Sequence, residues 1–240
     1  LESMEENEES CFQKFCKMFD FFGFITAMLT LITCGFTKFI QVSPLYVPEN
    51  DSLSAFPKVN KNTIEFFTVI AIGIICNVIF NFGAYFLHKY IPKLIVKLNP
   101  FSATWTCIAS LFLSCTITNI LKANTGRPRP DMYAYCGTNA NYRTCQDLKH
   151  RNNEFKSWPS GHTTAGISLS VSAVFFLQNV TTHRSLLYSV ITSLFMLFGY
   201  SVGFSRITDY RHHTDDVLCG FVLGFITNYL IWSKSKEKIF

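Results

Sequence analysis

The chain has 240 residues, of which 49% are hydrophobic, 16% aromatic and only 15% charged, with 25 Phe. An ordinary soluble domain carries roughly 25% charged residues, so a soluble protein with a large core is excluded and a single-domain integral membrane protein is expected. The formal charge of +5 is modest. No basic stripe with interleaved aromatics appears, which argues against nucleic acid as a partner.

Residues 1–16, acidic and then mixed, are expected to form a flexible N-terminal tail. They carry no basic flank with a short apolar core, so no cleavable leader is expected there. A six-helix domain over 17–232 follows. Its first span covers 17–39, with Asp20 and Lys38 near its two edges. Pro44, Pro48 and Pro57 rule out a helix in the next loop. The second span is expected at 63–87 and the third, after a short basic connector, at 101–121. The long loop 122–161 is rich in Arg, Lys, Asn and Asp, and a polar loop of that length in a compact membrane domain points to function. Spans four to six are placed at 162–178, 186–204 and 216–232, closed by a basic C-terminal tail at 233–240. The fold class is therefore all-α, with six transmembrane helices. The nine cysteines lie mostly in apolar segments, where a thiol behaves as a small hydrophobe, and none pairs as C-x-x-C or at zinc spacing.

Three polar stretches carry the chemistry: Lys122 to Pro130 (K-A-N-T-G-R-P-R-P), Trp158 to His162 (W-P-S-G-H) and Ser205 to Asp216 (S-R-I-T-D-Y-R-H-H-T-D-D). They follow span three, precede span four and follow span five, so parity puts all three on one face of the membrane. Lys89, Lys93 and Lys97 in the short connector favour cytosolic termini. The motif face holds more Lys and Arg in total, but residues gathered in the motifs and the long loop are poor markers of topology. The site is therefore expected at the extracytosolic membrane edge.

Lys122, Arg129 and Arg206 can neutralise and orient a doubly charged phosphate; the bland alternative for the first two is interfacial snorkelling. Ser160 and Gly161 open span four, where free N–H groups and the helix dipole make an anion site. The alternative there is a plain N-cap serine beside an interfacial histidine. Asp216 lies four residues after His212, so on a helix both share one face, and a carboxylate against the ring would fix its tautomer and raise its basicity. His212, His213, Asp215 and Asp216 are also conceivable metal ligands. Three cations beside a metal would repel it, so no metal and no cofactor are expected.

Lys122-x6-Arg129-Pro130, Pro159-Ser160-Gly161-His162 and Ser205-Arg206-x5-His212-x3-Asp216 together resemble the three-part signature of the type 2 phosphatidic acid phosphatase family, which shares its site with vanadium haloperoxidases. The third stretch is similar to that of eukaryotic lipid phosphate phosphatases. The resemblance covers the six spans and leaves out residues 1–16 and the proline-rich first loop. It implies a metal-independent phosphatase acting on phosphatidate, lysophosphatidate, diacylglycerol pyrophosphate or similar membrane lipid phosphates. It also implies roles: His212 as the nucleophile that becomes phosphohistidine, Asp216 as its orienting partner, and His162 as the acid that protonates the leaving alkoxide and then activates water. Lys122, Arg129, Ser160, Gly161 and Arg206 would hold the phosphate. Spacing selects Arg129 over Arg127, His212 over His213 and Asp216 over Asp215, and those neighbours receive no catalytic role.

Alternatives stay open: a relative acting on sphingoid or isoprenoid phosphates, a headgroup transferase, or a catalytically silent membrane scaffold. The membrane could be the endoplasmic reticulum, another endomembrane or the plasma membrane, and a homo-oligomer is open as well. On a lumenal or exterior face Cys136 and Cys145 could form a disulfide tying down the loop that carries Lys122 and Arg129, and Asn50 would be a glycosylation acceptor.

Overall fold

Six runs of 19 to 26 residues form helices long and apolar enough to cross a bilayer. In hydrocarbon each backbone polar group must be satisfied inside its own segment, which leaves the helix as the form such runs take. We label them α1 (Phe21–Phe36, prolonged by the 3-10 turn Thr37–Phe39), α2 (Phe66–His88), α3 (Pro100–Thr125), α4 (Gly161–Val180), α5 (Leu186–Thr208) and α6 (Thr214–Ile239). The structure, a computed structural model, describes residues 15–16, 18–59, 62–182 and 185–240. Among the described residues there is no strand, and the all-α, six-span architecture is as expected. Most of the stretch expected as an N-terminal tail lies outside the described residues.

The helix starts follow capping chemistry. Asp20 caps α1 by accepting from Gly23 N, Asn99 accepts from Phe101 N and Ser102 N ahead of Pro100 in α3, and Ser185 accepts from Tyr188 N in α5. The basic stretch 233–240 does not stand apart from α6 but prolongs it to Ile239. Lys236 and Lys238 sit in its last turn, where cations suit the helix dipole. Ile239 is buried and its carbonyl accepts from Asn99 N at 2.7 Å.

Helix α4 is the hub, packed by α2, α3, α5 and α6. Close packing in a membrane depends on small residues, because no hydrophobic effect drives helices together there. Gly220 and Gly224 of α6 provide it: a Cβ would lie 2.8 Å from Ser160 O at the first and 2.7 Å from Thr164 O at the second. A buried amide fastens the same pair. Asn228 of α6 donates to Ser168 O at 2.8 Å and lies within hydrogen-bond distance of Ser110 and Ser172 Oγ, both at 3.0 Å. Asp216, one turn before Gly220, is thereby pressed against the start of α4, and Ser160 N donates to its carbonyl at 2.9 Å.

Above α1 and α3 the first loop packs on the long loop. Ser43 N donates to Ala123 O, Leu45 N to Gly126 O and Phe56 N to Pro130 O. Val42 and Val47 join Met132, Tyr133, Cys136, Cys145 and Phe155 in a separate small core. Gly126 is required at the junction: its φ is +55°, and a Cβ would fall 1.7 Å from Ser43 O. Cys136 and Cys145 are disulfide-bonded inside this core.

Candidate active site

Three chain segments converge on a cleft of about 260 Å³ whose lining includes Lys122, Arg129, Gly161, His162 and His212. Lys122 lies in the last turn of α3, Gly161 and His162 open α4, and His212 lies in the turn between α5 and α6. That turn is tight: Tyr210 adopts a left-handed φ of +52°, and His212 N returns to Arg206 O at 3.2 Å.

The His212–Asp216 contact is real, but the helical-face argument for it does not hold. Helix α6 begins at Thr214, so His212 stands outside it and Asp216 is its third residue. Asp216 folds back as one half of a capping box, its Oδ2 accepting from His213 N at 2.9 Å. The same oxygen lies 3.5 Å from His212 Nδ1 without forming a hydrogen bond to it. Such contacts are often long before a substrate is bound. The Asp216 carboxylate is fully buried and held by two groups that sequence reasoning passed over. Ser157 Oγ donates to Oδ2 at 2.5 Å, and Arg127 Nη1 donates to Oδ1 at 2.7 Å. Arg127 also pairs with Asp215. Neither partner leaves a local signal, since Arg127 and Ser157 are 89 and 59 residues from Asp216.

On the other side of the ring, His212 Nε2 lies 3.5 Å from Arg129 Nη1. Arg129 is clamped by Asn153, its Nε donating to the carbonyl at 2.8 Å and Nη2 to Oδ1 at 3.1 Å, while Nη1 donates to Arg211 O at 2.9 Å. Three of its five N–H donors are thus committed and two are left for a ligand. Burial, with Arg211 adding, pushes its guanidinium down to about 10, so it stays cationic at neutral pH. Burial, then the Lys122 and Arg129 cations, hold the His212 imidazole well below its usual range, so it is neutral there. In the tautomer that carries its proton on Nδ1, toward Asp216, the Nε2 lone pair points to Arg129 and the cleft.

Lys122 Nζ donates to the carbonyls of Lys156 at 2.6 Å and Ser157 at 3.2 Å, which leaves one of its three protons for the cleft. His162 Nε2 is buried without a partner, and its ring meets Phe66 edge-on at 5.1 Å. Gly161 has only ordinary room around it, with Lys122 Cε 3.6 Å from a built Cβ. The protein's own packing therefore does not demand glycine there.

Three of the expected site residues do not line the cleft. Asp216 lies behind His212. Ser160 is fully buried as the cap residue of α4, its Oγ accepting from Thr163 Oγ1 at 2.8 Å. Arg206 is 1% exposed and committed to Asp209, Nη2 to Oδ2 at 2.5 Å. Asp209 also takes Thr63 N at 2.8 Å, fastening the turn after α5 to the approach of α2. A second cluster, Arg211 with Asp131 at 2.6 Å and Glu154 at 2.9 Å, ties the long loop to this turn. Burial opposes the Arg211 charge, but Glu154 and Asp131 outweigh it and raise its pKa above the usual guanidinium value.

A family model described as the PAP2 superfamily matches residues 103–240, more than half of the chain. "Lipid phosphate phosphatase 2" of Arabidopsis thaliana is 32% identical over 178 residues, covering 68% of this chain and 59% of that protein. "Probable diacylglycerol pyrophosphate phosphatase 1" of Schizosaccharomyces pombe is 30% identical over 147 residues, covering 53% of each. "Phospholipid phosphatase-related protein type 4" of Homo sapiens is 29% identical over 133 residues, covering 49% of this chain and 17% of that protein. The chain thus spans less than two thirds of the length of each of these relatives. No solved structure matches it. All three motif stretches fall within residues 103–240, and the chain belongs to the PAP2 superfamily.

Proposed function

We propose that this protein is a metal-independent lipid phosphate phosphatase that hydrolyses phosphate monoesters through a phosphohistidine. The observation that carries the reading is a neutral imidazole, His212, whose Nε2 faces a cleft holding the Arg129 guanidinium and the Lys122 ammonium. The names of the relatives, lipid phosphate and diacylglycerol pyrophosphate phosphatases, support the substrate class.

His212 Nε2 attacks phosphorus while the bond to the lipid oxygen breaks, and His162 gives that oxygen its proton. Water, deprotonated by His162, then attacks the phosphoryl group, the P–N bond breaks, and phosphate leaves with His212 restored. Asp216 holds the Nδ1 proton and balances the charge that the ring acquires. Lys122 and Arg129, with the Gly161 N–H that opens α4, stabilise the equatorial oxygens as charge builds. Arg206 joins them when a phosphate draws its guanidinium from Asp209.

The cleft sits at the ends of spanning helices, so a substrate could keep its tails in the bilayer while its phosphate reaches His212. We place this edge outside the cytosol, and the Cys136–Cys145 disulfide supports an oxidising compartment for it. Phosphate release from phosphatidate by purified protein, inhibited by vanadate and lost in His212→Ala, is the expected result. Failure of the purified chain to release phosphate from any lipid phosphate would overturn the reading.

A further inference from the structure

The cations around the cleft divide into two sets. Arg127, Arg206 and Arg211 are each already ion-paired, with Asp215 and Asp216, with Asp209, and with Asp131 and Glu154. Four others have no carboxylate in ion-pair contact among the described residues: Lys122 and Arg129 beside His212, and Lys38 and Lys156, which line the same cleft. Lys122 and Arg129 are buried, whereas Lys38 is exposed and Lys156 half-buried, so the second pair stands farther out. The two outer lysines come from different parts of the chain. Lys38 lies in the 3-10 turn that ends α1, and Lys156 ends the long loop and places its Nζ 3.5 Å from Ile40 O, two residues beyond Lys38.

A monoester dianion neutralises the inner pair and leaves the outer pair without a counter-charge. Water and salt screen such exposed ammonium groups, but they remain strong donors to a second anion arriving with the substrate. We propose that Lys38 and Lys156 form an outer subsite that takes a second anionic phosphoryl group, so that the cleft prefers lipids carrying a diphosphate over those carrying a monophosphate. This rests on the phosphatase reading of the same site and names its substrate class. The terminal phosphate is attacked by His212 while the inner one, which becomes the leaving group, lies against the two lysines. Lys38 lies outside residues 103–240 and Lys156 inside them, so the subsite joins the first span to the matched family region.

Two non-hydrolysable probes test the proposal by calorimetry on the full chain in zwitterionic bilayer discs: methylphosphonate and methylenediphosphonate. The expected result is methylenediphosphonate binding about tenfold more tightly, as two exposed charge contacts of up to ~1 kcal/mol each allow. The ratio should fall towards one in the double variant Lys38→Gln, Lys156→Gln and persist in Lys38→Arg, Lys156→Arg. An unchanged ratio in the glutamine variant overturns the subsite, as does a wild-type protein with no preference. Repeating the titration in discs containing anionic lipid separates a second source of the same chemistry. If the variant then weakens both probes alike, the lysines face membrane headgroups and the proposal is wrong. The ratio of kcat/KM for a lipid diphosphate over a lipid monophosphate should follow the binding ratio. If no lipid phosphate is hydrolysed, the phosphatase reading fails, and the binding ratio still decides the subsite.

Discussion

Arg127 and Asp216, 89 residues apart in the chain, form an ion pair in which Nη1 lies 2.7 Å from Oδ1. The arginine side chain is 25% exposed and the carboxylate fully buried, so the pair seals the back of the site from solvent. With Ser157 Oγ and His213 N on the other oxygen, the carboxylate has a single orientation, the one that faces His212 Nδ1. Removing one partner of a fully buried pair costs about 3–5 kcal/mol, and water at the exposed arginine reduces that here. Arg127→Ala should therefore lower kcat on the order of 10²-fold with little change in KM, and Arg127→Lys should recover part of the loss. Single-turnover formation of the phosphoenzyme reads the effect directly. Wild-type kcat in Arg127→Ala would show that Asp216 needs no such support.

Replacing His162 should separate substrates by leaving group. A lipid alkoxide must be protonated as it leaves, so its release should slow on the order of 10²–10⁴-fold in His162→Ala. Nitrophenolate leaves without help, so a burst of nitrophenol should survive while phosphate stays on the protein for want of a base. His212→Ala should abolish both steps for both substrates. Normal turnover in His162→Ala, or a phosphoenzyme in His212→Ala, would contradict the assigned roles.

Two histidines link the stability of this fold to acid. Burial and nearby cations depress His212, and burial with Arg127 depresses His213. The unfolded chain binds protons on these rings at about pH 6.5 and the folded chain does not. Their depressed values favour the folded state fully above that pH, and this advantage is lost as pH falls below it. The slope is up to about 1.4 kcal/mol per pH unit for each ring. Thermal melts in detergent from pH 7.5 to 5 should show a falling midpoint, less steep in His213→Gln. A midpoint flat across that window would mean that both rings titrate normally.

The disulfide holds the loop from which Asn153 clamps Arg129. Closing a loop between residues nine apart stabilises by about 2–3 kcal/mol in the chain-entropy model. The double variant Cys136→Ser, Cys145→Ser should melt earlier and lose kcat/KM chiefly through weaker substrate binding. Peptide mapping without reductant should find the two cysteines linked; two free thiols would remove the basis of the prediction.

Glycosylation reports the orientation. Asn50 heads an Asn-Asp-Ser acceptor, is exposed, and lies on the same side as the cleft. Asn179 heads Asn-Val-Thr but sits in the last turn of α4 with its amide donating to Phe175 O at 2.7 Å. In a glycosylating host Asn50 should carry sugar and Asn179 none. Sugar on Asn179 alone would invert the topology.

Much of this molecule is determined by local order in the sequence. Long apolar runs made six helices legible, because a spanning segment must satisfy its backbone within itself and so writes its length into composition. The three motif stretches and their common face followed from counting those runs. What only the tertiary structure decided were contacts between residues far apart in the chain. Arg127 on Asp216, Ser157 on Asp216, Asn153 on Arg129 and Asp209 on Thr63 all join segments brought together by packing on α4. The meeting of His212 with Asp216 shows the difference within five residues. Their spacing suggested a shared helical face, yet the helix begins between them, and the contact comes from a capping box at its first turn. A helix N-terminus leaves its first N–H groups unpaired, and the nearest side chain that can turn back to satisfy them does so. That choice depends on where the helix starts, and the close approach of α6 to α4 at Gly220 and Gly224 then carries the capped turn against the start of α4.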